Sequence, residues 1–111
     1  MLVEEPMDEA LRERIKSTIE SHKVVLFMKG NKNFPQCGFS AQVIGLLKQN
    51  GAEFRDVNIL ADADLRAGLK EYSNWPTFPQ LYVDGKLVGG CDIVTSLNES
   101  GELKSVLGVA S

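Results

Sequence analysis

Val24-Val25-Leu26-Phe27-Met28, the loop from Lys29 to Gln36, and Cys37-Gly38-Phe39-Ser40 form the stretch that decides the fold. An apolar run without polar alternation predicts a central strand buried on both faces. The polar loop carries Gly30 and Pro35, residues that punctuate regular structure. Phe39, Val43, Leu46 and Leu47 then recur at helical spacing as far as Asn50-Gly51, a stop signal, and predict a helix with these side chains on its core face. Cys37 falls where loop becomes helix. First-turn N–H groups lack intrahelical partners there, and the helix dipole favours negative charge. A thiol so placed ionises more readily than a free one, and thiolate is the form that attacks disulfides or binds metal. Lys29 and Lys32 add positive charge nearby. The competing reading is a buried, inert cysteine at a helix start.

Upstream, Met7, Leu11, Ile15 and Ile19 predict an amphipathic helix over about residues 7–21, with Pro6 tolerated in a first turn. Downstream, Phe54 to Ile59 is a weaker strand, and Asp62 can cap a helix whose core face is Leu65, Leu69 and Tyr72. Leu81, Val83, Leu87 and Gly89 flank Asp84-Gly85, a hairpin signal. A last helix starts near Asp92 and uses Ile93, Val94 and Leu97; Leu103, Val106 and Leu107 form a further helical turn. The order α-β-α-β-α-β-β-α predicts an α/β protein with a small mixed four-stranded sheet flanked by helices, a thioredoxin-like arrangement with an extra N-terminal helix. Another small α/β topology has the same order. The expected division is an N-terminal helical extension over 1–22, one domain over 23–107 and a tail over 108–111.

The 111 residues suffice for a single core. At 43% hydrophobic and 24% charged, the composition is that of a globular chain. A net charge of −3 without any basic run argues against nucleic acid. No apolar stretch approaches the roughly 20 residues a membrane helix needs. The acidic stretch Met1 to Arg14 resembles neither a secretory signal nor a transit peptide, so the chain either works where it is made or has lost a targeting segment. Two cysteines are too few for a disulfide scaffold, which points to a reducing intracellular compartment. His22, the only histidine, reads as solvated or packed.

Ser40 stands where a dithiol oxidoreductase carries its resolving cysteine. A redox cycle at Cys37 therefore stops at a mixed disulfide and waits for an outside thiol, with Cys91 the only internal alternative. Cys37-Gly38-Phe39-Ser40, preceded by Phe27-Met28-Lys29-Gly30 and followed by Trp75-Pro76-Thr77-Phe78-Pro79-Gln80 and Gly89-Gly90-Cys91-Asp92, resembles the Cys-Gly-Phe-Ser class of monothiol glutaredoxins. The resemblance runs over roughly residues 23–103, with its segments in order.

That resemblance implies a groove for glutathione beside Cys37, in which Lys29, Arg66 and Lys70 bind the glycine carboxylate by charge-assisted hydrogen bonds. It implies a cis peptide before Pro79, turning the Phe78 backbone towards the cysteinyl unit like an added strand, with Thr77 lining the same groove. Gly90, Cys91 and Asp92 would receive the γ-glutamyl end at a helix N-terminus, Asp92 also serving as a plain N-cap. The Gly89-Gly90 pair would allow close backbone approach. Trp75 and Pro76 are expected to shape the loop rather than touch chemistry.

A [2Fe–2S] cluster takes four thiolates. One exposed Cys37 per chain then implies a homodimer, monomeric when apo, completed by two glutathione thiolates. Cys37 plus Cys91 from two chains is the arithmetic rival. Expected partners are apo iron–sulfur proteins and, by resemblance, BolA-type proteins. A cluster carrier, a glutathione-dependent thiol-disulfide oxidoreductase using Cys37 as nucleophile, and a pure interaction module all stay open. The expected compartment is plastid stroma or cytoplasm, with the mitochondrial matrix as a further alternative.

Overall fold

A computed structural model describes residues 8–109 of the chain. The elements run α1 (Glu9–Glu20), β1 (Val24–Met28), α2 (Gly38–Gln49), β2 (Arg55–Asn58), α3 (Ala63–Ser73), β3 (Gln80–Val83), β4 (Lys86–Gly89), α4 (Cys91–Glu99) and α5 (Leu103–Leu107), with a 3-10 turn at Ile59–Ala61. The sheet order is β2-β1-β3-β4, with β1 parallel to β2 and the other pairs antiparallel. This is the thioredoxin-like arrangement that the element order predicts. The expected starts of the first helix at Met7 and Pro6 lie outside the described residues, as do the last two residues of the tail.

All five β1 residues are buried, and their alternation divides the core. Val24, Leu26 and Met28 join Val43, Leu47 and Val94 of α2 and α4 on one face of the sheet. Val25 and Phe27 join Ile15, Ile19, Leu65 and Leu69 of α1 and α3 on the other. Burying each such aliphatic side chain is worth about 1.5–3 kcal/mol, so β1 is the hinge of both half-cores. Gly68 lets α1 sit flush on α3: a Cβ there would come within 2.8 Å of Leu11.

Local signals hold where a side chain bonds its own backbone. Asp62 accepts from Leu65 N at 3.1 Å and caps α3. Asp84 and Gly85 both take positive φ, 51° and 79°, as a two-residue hairpin turn requires. Four expectations change. The second strand is shorter, because Ile59 turns into the 3-10 segment. Phe39 is not on the core face of α2 but 61% exposed, and Ile93 is 37% exposed. Helix α4 starts at Cys91 with Gly90 as its N-cap, so Asp92 lies in the first turn and does not cap.

Candidate functional site

The turn that carries Cys37 is built by its own polar groups. Gly30 takes φ 90°, and a Cβ there would lie 2.5 Å from Phe34 O and 2.7 Å from Gln36 N, so only glycine fits. Asn31 Oδ1 accepts from both Asn33 N and Phe34 N at 2.9 Å. Gln36 N donates to Lys29 O at 2.8 Å and closes the loop. Cys37 then caps α2 with extended backbone, φ −150° and ψ 136°, and no side-chain cap bond.

The Cys37 thiol is held below its ordinary value of 9.0. The largest cause is the backbone N–H of Ser40. Partial burial opposes it, and the Phe39 N–H, the Lys29 ammonium and the Ser40 hydroxyl add to the lowering. These are the donors that a helix start offers to a thiolate. Ser40 is fully buried, and its Oγ also accepts from Lys29 N at 3.2 Å. The serine in the resolving position thus ties the strand end to the helix start. Lys32, expected to add charge near Cys37, instead sends its Nζ to Phe54 O at 3.5 Å and lies over the Phe54 ring.

An open groove of about 590 Å³ adjoins the turn that carries Cys37: Lys29 and Phe39, on either side of that turn, line it, while Cys37 itself is not part of its lining. Lys29, Arg66 and Lys70 line it, from the strand-end loop and one face of α3. None of the three makes an ion pair among the described residues, where the one salt bridge is Arg14–Asp62 at 2.8 Å. Thr77, Phe78 and Pro79 also line the groove, and the Phe78–Pro79 peptide is cis. Gly90, Cys91 and Asp92 contribute the start of α4, where the Gly90 cap provides no side-chain acceptor for the first-turn N–H groups. A Cβ at Gly90 would lie 3.2 Å from Pro79 O. Gly89 leaves room for something else: a Cβ there would collide with the chain's own Ile93 at 2.6 Å.

All nine residues that the resemblance assigns to glutathione therefore border one groove. Sequence reasoning missed four others. Phe39 and Ile93 form apolar walls, and Trp75 and Pro76, expected only to shape the loop, line the groove as well. The exposure of Phe39 and Ile93 has no counterpart in helical spacing, which looks the same for a core face and a groove wall. Cys91 Sγ lies 4.0 Å from Thr95 Oγ1, and both cysteines are free. Among the described residues no three His, Cys, Asp or Glu side chains converge where a metal could bind. A second hollow of about 890 Å³ gathers none of the expected residues. Two of its three lysines serve helix ends, Lys48 in the last turn of α2 and Lys23 Nζ against Gly108, the left-handed cap of α5, and the third is Lys32 on Phe54. No described helix is long and apolar enough to cross a membrane.

Fold and site together define a thioredoxin-like protein with one activated thiol at a helix N-cap. A family model described as Glutaredoxin matches residues 24–88, and the chain belongs to that family, in its monothiol branch. It is 58% identical over 93 residues to Probable monothiol glutaredoxin 2 of Rickettsia conorii, covering 84% of this chain and 87% of that protein. It is 54% identical over 97 residues to the rice Monothiol glutaredoxin-S7, chloroplastic, covering 87% and 58% respectively. It spans only 20% of the longer rice Monothiol glutaredoxin-S11. The solution structure of reduced poplar apo GrxS14 superposes with a TM-score of 0.76 at 58% identity over 86% of this chain and 87% of that one. The holo form of poplar glutaredoxin C1 gives 0.81 at 29% identity, covering 90% and 88%. A buckwheat glutaredoxin–glutathione complex gives 0.79 at 26% identity, covering 95% and 100%.

Proposed function

We propose that this protein binds glutathione in the groove and, as a homodimer, carries a labile [2Fe–2S] cluster that it passes to apo iron–sulfur proteins. The observation that carries the reading is the single activated Cys37 beside the groove, with a buried hydroxyl at Ser40 in place of a second thiol. The groove suits an elongated peptide with a carboxylate at each end. Three cations without ion-pair partners among the described residues stand at Lys29, Arg66 and Lys70, and α4 offers first-turn N–H groups without a side-chain cap. When bound, glutathione supplies a second thiolate per chain. Cys37 supplies the first, so two chains and two glutathiones make the four a cluster needs. Half of those donors exchange with solution, which suits a carrier. The glutathione complex of the buckwheat relative supports the ligand.

BolA-type proteins complete the proposed partners by offering a ligand in a mixed dimer. The chloroplastic rice relative supports plastid stroma as the compartment, with cytoplasm and mitochondrial matrix as the alternatives. The depressed thiol favours one second reading: Cys37 attacks the glutathionyl sulfur of a protein mixed disulfide, the client thiolate leaves, and a second glutathione releases the first. Anaerobic purification with iron, sulfide and glutathione should give a brown dimer for wild type and for Cys91→Ser, and a colourless monomer for Cys37→Ser. A colourless wild type that turns over glutathionylated substrate would replace the carrier by the enzyme.

A further inference from the structure

Gln80 is fully buried at the start of β3, yet every polar atom of its side chain is used. Its Nε2 donates to Trp75 O at 3.1 Å and to Thr77 O at 3.2 Å. Its Oε1 accepts from the Tyr82 hydroxyl at 3.2 Å, two residues along the same strand face. Tyr82 is itself packed edge-on against Phe27 of β1, with ring centroids 5.5 Å apart. A rigid chain of contacts thus runs from the central strand through Tyr82 and Gln80 to the 75–77 segment, which borders the groove.

The posture of that segment is not the one Trp75 alone would choose. Its Nε1 is buried with no acceptor among the described residues, a costly state for an indole N–H. Something must hold it there, and the two carbonyls on either side of Pro76 are the ones Gln80 grips. Tying this irregular stretch to a core amide also removes the conformational freedom a ligand would otherwise have to quench.

We propose that Gln80 is the positioning residue of the groove wall: it clamps Trp75 and Thr77 in the ligand-ready posture against the pull of the unbonded indole. The effect on affinity rests on the proposed binding of glutathione; the effect on posture does not. Trp75 is the only tryptophan, so its emission reports the wall directly.

The test is calorimetric titration with glutathione together with Trp75 emission and acrylamide quenching. Gln80→Met, similar in volume but without donors, should weaken glutathione about tenfold, shift emission to the red and raise quenching. Tyr82→Phe removes the hydroxyl that holds Oε1 and should give the same changes at about a third of that size. Gln80→Glu loses the amide donors at neutral pH and regains one when protonated, so its affinity relative to wild type should partly recover as pH falls. A Gln80→Met protein that melts earlier but keeps wild-type affinity and emission would overturn the assignment. Should Gln80→Met not fold, Tyr82→Phe decides by the same two readouts. A wild type that binds no glutathione overturns the functional reading instead, and emission then still tests the clamp.

Discussion

Cys37 and Cys91 both stand at the start of a helix, and they differ by one position. Cys37 is the cap residue of α2, with extended backbone, so its sulfur faces the first-turn N–H groups of Ser40 and Phe39, which lower its pKa without a formed side-chain cap bond. Cys91 follows the cap Gly90 and is the first residue inside α4. Its sulfur lies along the helix, 4.0 Å from Thr95 Oγ1 one turn on. Proximity to a helix N-terminus is therefore too coarse a description. The cap position aims a side chain at the unpaired donors, and the next position aims it along the helix flank. The difference should be largest in alkylation. Cys91→Ser should retain rapid labelling with iodoacetamide at pH 7, and Cys37→Ser should lose it by at least about tenfold. Equal rates for the two variants would erase the contrast. The sign for stability follows from the lowered thiol. A depressed folded value adds stability above the ordinary 9.0 and loses it as pH falls through the folded value. Cys37→Ser should thus be most destabilising at pH 10, with its cost shrinking as pH falls below 9.0 and through the folded value.

The contrast depends on the turn before Cys37, and Gly30→Ala attacks that turn alone. The new Cβ meets backbone at 2.5 and 2.7 Å with φ at 90°, so the loop must open. The expected cost is about 2–4 kcal/mol in denaturant midpoint measurements, with slower Cys37 labelling and unchanged Cys91 labelling. A variant of wild-type stability would mean that the loop has a second, equally good path.

What the sequence disclosed, and what it hid, divides along the same physical line. β1, the Asp84-Gly85 hairpin and the Asp62 cap were legible because each depends on a local rule: an apolar run, two positive-φ residues, a side chain bonding its own backbone. The nine groove residues were legible through motif resemblance, and periodicity alone gives none of them. Phe39 and Ile93 are exposed walls rather than core, which helical spacing does not disclose, because it fixes a face and not what the face meets. Lys32 was misassigned because a long side chain four residues into a loop has no sequence rule for direction; it found Phe54. Gln80 was visible in the motif but silent, since its three bonds reach back to Trp75 and Thr77 and on to Tyr82 only once the chain turns. Tyr82, pushed up to about 12 by burial, stays the donor in that set at any working pH.

Lys29 sharpens the comparison from the electrostatic side, because its ammonium acts on the Cys37 thiol. Lys29→Gln should raise the pH at which Cys37 labels and leave Cys91 labelling where it is. The same change, and Lys70→Gln beside it, should weaken glutathione about three- to tenfold in calorimetry at low salt, with a smaller loss at high salt. An unchanged affinity in both variants would show these cations to be solvated surface charges.

The smallest effect is expected at Thr95, where the second cysteine can be tested without touching the first. Thr95 Oγ1 accepts from Gln42 Nε2 at 2.9 Å and so links α4 to α2, while its contact with Cys91 is long and weak. Thr95→Val keeps the branched shape and removes both contacts. The Gln42 bond is solvent-facing, so its loss should cost about 0.5–1 kcal/mol in thermal unfolding. Cys37 labelling should not move, because none of its donors lies on α4. Cys91 labelling should change by less than about twofold if its sulfur takes little from Thr95. A large change at Cys91 would mean that Thr95 does for that thiol what the α2 N–H groups do for Cys37, and the one-position distinction between cap and first residue would lose its force.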